Sequence, residues 1–174
     1  ILLVASLGGP TAARGRVLLT RDAALAQVFG ADAKIESRSS YLTPDQVTTV
    51  ERAAQARLAS PRIVTYRATR GDSLLGTAYL DTHLVRTMNE TILIAVSRSG
   101  RVAAVEVLAF NEPEDYLPPR RWLEKFDDRA LSKDLRPGEA VPNLGGATLT
   151  ARAVAAAVRR TLALHRTIEA GGTR

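Results

Sequence analysis

The chain has 174 residues, 45% of them hydrophobic and 24% charged, with no cysteine and a formal net charge of +6. That length supports one domain with a buried core, and the composition excludes disulfides, thiol catalysis and thiolate metal sites. Only three of the 24 basic residues are lysine, and the arginines form no dense run with interleaved aromatics, so the sequence predicts no nucleic-acid binding.

The first seven residues are apolar, Gly8-Gly9-Pro10 breaks the run, and Thr11-Ala12-Ala13 follows as a cleavage-like stretch of small residues. Residues 1–15 are therefore read as the remnant of a secretory signal peptide, which predicts export. Residues 16–170 are expected to form a single domain and residues 171–174 a flexible tail. Residues 21–29 predict a short helix with Ala24, Leu25, Val28 and Phe29 on one side and Gly30 at its stop. A second helix is expected from Thr43 to about residue 58. Thr43 can cap it, Pro44 occupies its first position, and Gln46 supplies the reciprocal side chain.

The middle of the chain reads as β-structure. Residues 63–68, 74–83, 91–97 and 102–110 are rich in β-branched residues, tyrosine and leucine. Arg70-Gly71-Asp72 and Ser97-Arg98-Ser99-Gly100 supply turns between them. Four successive strands on short turns predict an antiparallel sheet of about four or more strands with helices packed on one side, an α+β fold. A loop-rich stretch begins at Asn111-Glu112-Pro113, a short helix is expected at 120–126, and an irregular segment leads to Leu144. The last helix is expected over about 150–165, opened by a Gly-Gly-Ala-Thr motif. Val154, Val158, Leu162 and His165 lie on one stripe, and Arg152, Arg159 and Arg166 on another.

The approach to that helix is unusual in its chemistry. Gly145-Gly146-Ala147 removes side-chain bulk where a helix start offers unpaired N–H groups and the positive end of its dipole. Thr148 and Thr150 add hydroxyls that can bond a phosphate or become esterified to one. The same residues also suit a plain glycine turn with a threonine cap.

Gly146-Ala147-Thr148-Leu149-Thr150, followed by an alanine-rich amphipathic helix, resembles the Ser/Thr-Gly-Ala-Thr motif of the FMN-binding domain family. That family includes the periplasmic flavin subunits of the Rnf and sodium-pumping NADH:quinone reductase complexes. "LLGTAYLDTHLVRT" and "ETILIAVSRSGRVAAVEVLAFNEPEDYLPPRRWLEKF" stand in the order found in its stand-alone bacterial members. The resemblance implies FMN attached through its phosphate to Thr148, with Thr150 the second choice, and with Gly145, Gly146, Ala147 and Leu149 around it. It implies a flavin transferase that consumes FAD, a membrane redox partner or cytochrome, and a place in the periplasm or on the outer face of the cytoplasmic membrane. It also places Glu112 beside the isoalloxazine ring. Two positions depart from the family pattern: Pro142 stands where aspartate is usual, and Gly145 replaces the Ser/Thr.

Two functions of other classes fit the same residues. One is a flavin-free binding or sensory module on the same fold, and the other is a flavin reductase. No catalytic acid or base is assigned from the sequence. Tyr79, Asp81 and His83 share one face of a strand and are expected at a solvent-facing strand end, the other reading being a polar wall near the flavin. His83 and His165, the two histidines, lack metal-ligand spacing. Trp122 and Phe126 are expected to anchor the core.

Overall fold

The computed structural model describes residues 16–171, so the stretch read as a leader and residues 172–174 lie outside the described residues. Its elements in chain order are β1 (Arg16–Val17), α1 (Arg21–Phe29), β2 (Lys34–Tyr41), α2 (Pro44–Ala54) and β3 (Arg62–Arg70). There follow β4 (Ser73–Leu84), β5 (Asn89–Ser97), β6 (Val102–Phe110), α3 (Arg120–Leu123) and α4 (Thr148–Gly171). The six strands form one antiparallel sheet in the order β1-β6-β5-β4-β3-β2. The α+β expectation holds, with two more strands than the four read from the sequence.

Local chemistry sets the boundaries. Thr20 accepts from the Ala23 N–H at 3.2 Å to start α1. At α2, Thr43 and Gln46 close a reciprocal capping box, with Pro44 in the first turn. That helix stops at Ala54 rather than near residue 58, because Gln55 turns left-handed at φ 51° and the Glu51 carboxylate accepts the Leu58 N–H at 2.9 Å. A left-handed Gly71 fills the two-residue turn between β3 and β4. Gly76, in β4, has no room for a side chain: a Cβ there would lie 2.5 Å from the Val96 carbonyl oxygen and 3.1 Å from the Phe29 ring.

Helices cover both faces of the sheet, not one. Ala24, Leu25 and Phe29 of α1 pack with Tyr66, Ala68, Ala78, Leu93, Ala95 and Leu108 on one face. On the other face, α4 and α2 pack with Ile92, Ile94, Val96 and Val105, joined by Trp122 and Phe126. The central strand β5 is consequently buried on both sides, which explains its near-continuous apolar run. Of the expected stripe on α4, Val154, Val158, Leu162 and His165 are all buried. The arginine stripe divides. Arg152 and Arg166 are exposed, whereas Arg159 is buried and donates to the carbonyls of Ala54 at 2.9 Å and Leu135 at 2.7 Å. It therefore ties α2 to the loop before α4.

Candidate functional site

The segment leading into α4 is held from both sides. Trp122 Nε1 donates to the Pro142 carbonyl at 2.8 Å, and its ring meets Phe126 edge-on at 5.3 Å between centroids. Leu144 packs against the core, and Ala147 is buried. Between these two anchors Gly145 and Gly146 face open space, with no atom within 4 Å of where a Cβ would stand. Gly146 adopts φ +77°, a left-handed conformation that an L side chain pays for.

From that turn the helix begins at Thr148. Its residue is exposed, as is Leu149 at 47%, while Thr150 is only 1% exposed. The Ala151 N–H bonds to the Ala147 carbonyl at 3.0 Å, so the N–H groups at the start of the helix precede any intrahelical acceptor. An exposed hydroxyl, forward-pointing amides and a side-chain-free approach fit a phosphate monoester. Of the two threonines, Thr148 is the one exposed to solvent.

Glu112 is used differently. Its Oε1 accepts the backbone N–H groups of Arg86 at 3.0 Å, Thr87 at 2.7 Å and Met88 at 2.9 Å. These donors, Thr87 and Met88 foremost, hold its carboxyl below the usual glutamate range. The residue thus closes the β4–β5 turn from a loop 24 or more residues away. Beside it lies a cavity of about 380 Å³, between β1, the β4–β5 turn and the chain after β6. None of Gly145, Gly146, Ala147, Thr148, Leu149 and Thr150 lines that cavity. The two regions nevertheless share one end of the sheet. His165 bonds to Tyr79 and Arg160 to Asp81, so α4 runs antiparallel to β4. At about 1.5 Å per helical residue and about 3.3 Å per strand residue, the start of α4 falls level with the β4–β5 turn.

The strand face carrying Tyr79, Asp81 and His83 is not solvent-facing, because α4 lies over it. Tyr79 Oη and His165 Nδ1 are 2.8 Å apart and buried, and burial pushes the Tyr79 hydroxyl above its ordinary range and the His165 ring below its own. Arg160 grips Asp81 through two nitrogens, at 3.1 and 2.8 Å. His83 stands between Asp81 Oδ1 at 2.8 Å and Glu90 Oε2 at 3.0 Å. Burial opposes charge on the imidazole, but the hydrogen bonds to both carboxylates outweigh it and raise the His83 pKa. Burial likewise opposes charge on Asp81, and the bonds from His83 and Arg160 lower its pKa nonetheless. Glu90, fully buried, is raised by burial, and its Oε1 has no hydrogen-bond partner.

Sequence reasoning missed Glu90, Arg160 and the tether from Trp122. The turn at residues 85–88 was the available signal for Glu90, since a hairpin closed there places it opposite His83. Arg160 is 79 residues from Asp81 in sequence, and only the packing of α4 joins them.

No curated protein matches the chain. Residues 89–163 match the family model of the FMN-binding domain. The match runs through β5, β6 and α3 and takes in the glycine turn, Thr148 and the first two-thirds of α4. Over this segment the chain is similar to FMN-binding domains, and the match indicates FMN as the cofactor.

Proposed function

We propose that this protein is an electron carrier whose FMN is esterified through its phosphate to Thr148. The single observation that carries the reading is the exposed Thr148 at the start of α4, beside two glycines that leave the approach open, inside the matched segment. Thr148 supplies the acceptor oxygen. A flavin transferase cleaves the pyrophosphate of FAD, the phosphoester to Thr148 Oγ forms, AMP leaves, and the hydroxyl proton is lost. The bound isoalloxazine supplies one- or two-electron chemistry, and the chain sets its exposure and surroundings. Export to the periplasm or the outer face of the cytoplasmic membrane accords with the apolar first residues, and a membrane reductase or cytochrome is the partner that such a carrier serves. Among the described residues no helix is long and apolar enough to cross a membrane.

The test is co-expression with a flavin transferase followed by a denaturing gel viewed under ultraviolet light. A fluorescent band that persists on denaturation and disappears in Thr148→Val is the expected result. A band that survives Thr148→Val moves the attachment elsewhere. Yellow protein whose colour is lost on denaturation replaces the ester with reversible binding.

A further inference from the structure

We propose that the cavity beside the C-terminal end of α4 binds a small organic carboxylate, its head held by Arg98, Arg166 and His165 and its apolar body lying on Leu74, Leu131 and Leu162. The cavity, of about 430 Å³, opens between the start of β4, the β5–β6 turn and α4. His165 stands about 25 Å along the helix axis from Thr148, at 1.5 Å per residue, so the site is separate from the FMN reading above. His165 lines this cavity and is only 9% exposed. Burial keeps the Tyr79 hydroxyl protonated, and among the described residues its one hydrogen-bond partner is His165 Nδ1 at 2.8 Å. Nδ1 is therefore the acceptor, and Nε2 carries the proton of a ring that burial holds neutral. That N–H is a donor with no partner among the described residues.

Charge selects the head group. Arg98 and Arg166 stand exposed at the rim, and neither joins an ion pair among the described residues. The guanidinium fork matches the paired oxygens of a carboxylate. Glu169 also lines the cavity, so a monoanion is favoured over a doubly charged phosphate, which that carboxylate would repel more strongly. The adjoining cavity shares Thr77 and Glu169 and adds Arg38 and Arg67, while its Glu36 is bonded to Lys34 at 2.7 Å, so the surroundings stay positive. Leu74, Leu131 and Leu162 give the wall its apolar part, and the volume is within the range of small-molecule sites.

The chain, labelled with nitrogen-15, is titrated with octanoate, with octanamide and with inorganic phosphate, following nitrogen–proton spectra. Octanoate should move the amide signals of Thr77 and Ser99 together with the His165 Nε2 signal. It should bind about tenfold more tightly than the neutral amide of the same shape, the worth of one charge-assisted hydrogen bond. In the double variant Arg98→Gln, Arg166→Gln that preference should vanish, and the urea midpoint should not change because both side chains are exposed. Equal binding of octanoate and octanamide, a preference retained in the double variant, shifts confined to other residues, or no shifts at millimolar octanoate each overturn the proposal. Inorganic phosphate that binds as tightly as octanoate also overturns it, since the apolar wall would then contribute nothing.

Discussion

The indole N–H of Trp122 reaches across twenty residues to the carbonyl of Pro142 and fixes the chain three residues before Gly145. The bond makes the position of the glycine turn depend on α3. Trp122→Phe removes the donor while keeping an aromatic ring against Phe126. A loss of about 1–2 kcal/mol in urea unfolding is expected, from the unmet carbonyl and the smaller ring. Flavin attachment to Thr148 should slow by more than attachment in a surface variant of equal stability.

The motif itself can be moved toward the pattern of the FMN-binding domains it resembles. Gly145 faces open space and has no left-handed φ, so Gly145→Ser should fold with unchanged stability. Combined with Pro142→Asp, which retains the carbonyl that Trp122 binds, it should raise the rate of flavin attachment in a transferase assay. Gly146→Ala is the contrasting case. It also meets no neighbour, but φ +77° makes a side chain cost about 1–2 kcal/mol, and the helix start should loosen.

Arg160, Asp81, His83 and Glu90 form a buried run of alternating charge that is neutral when the imidazole is protonated. The raised His83 pKa means that its stabilising charge is present below the ordinary histidine value of 6.5 and is lost as pH rises through the folded value. Glu90, also raised, adds a penalty in the same direction above 4.5 as it ionises. Asp81 is lowered and acts oppositely, losing its contribution only in acid, below 3.8. Urea midpoints measured from pH 6 upward should therefore fall with pH, and His83→Gln should flatten that slope. Asp81→Ala, which strands Arg160 and His83 together, should cost about 3–5 kcal/mol.

Glu112 gives a prediction that separates a structural carboxylate from one that touches the cofactor. In Glu112→Ala the amides of Arg86, Thr87 and Met88 lose their shared acceptor, so their hydrogen exchange should accelerate while that of β5 does not. The lowered pKa fixes the sign: the unsubstituted turn stays protected above the ordinary glutamate value of 4.5 and opens as pH falls through the folded value. Exchange that stays slow in the variant would show that the turn holds itself without Glu112.

Much of the sheet was legible because its inner strands carry their burial in their composition. The run from Thr91 to Val96 and the two turns around Gly71 and Gly100 were enough to place β4, β5 and β6. The edge strand β2 was not legible. Lys-Ile-Glu-Ser-Arg-Ser-Ser-Tyr offers Ile35 as the one inward aliphatic side chain, and seven of its eight residues are exposed. Such polarity suits an edge, where lysine and glutamate discourage a second chain from adding on. The start of α4 was legible from glycines and hydroxyls, which are local signals. The surroundings of Asp81 and His83 were not, since their burial comes from a helix that begins more than sixty residues later.

Because Leu144 packs against the core and Ala147 is buried, the glycine turn between them is held at both ends, a mount and not a swinging tether. A redox group fastened to Thr148 would keep a nearly constant standoff from the protein's own surface. Tunnelling rates fall exponentially with distance, so the pace of electron delivery would then be governed by how closely a partner docks at this end of the sheet.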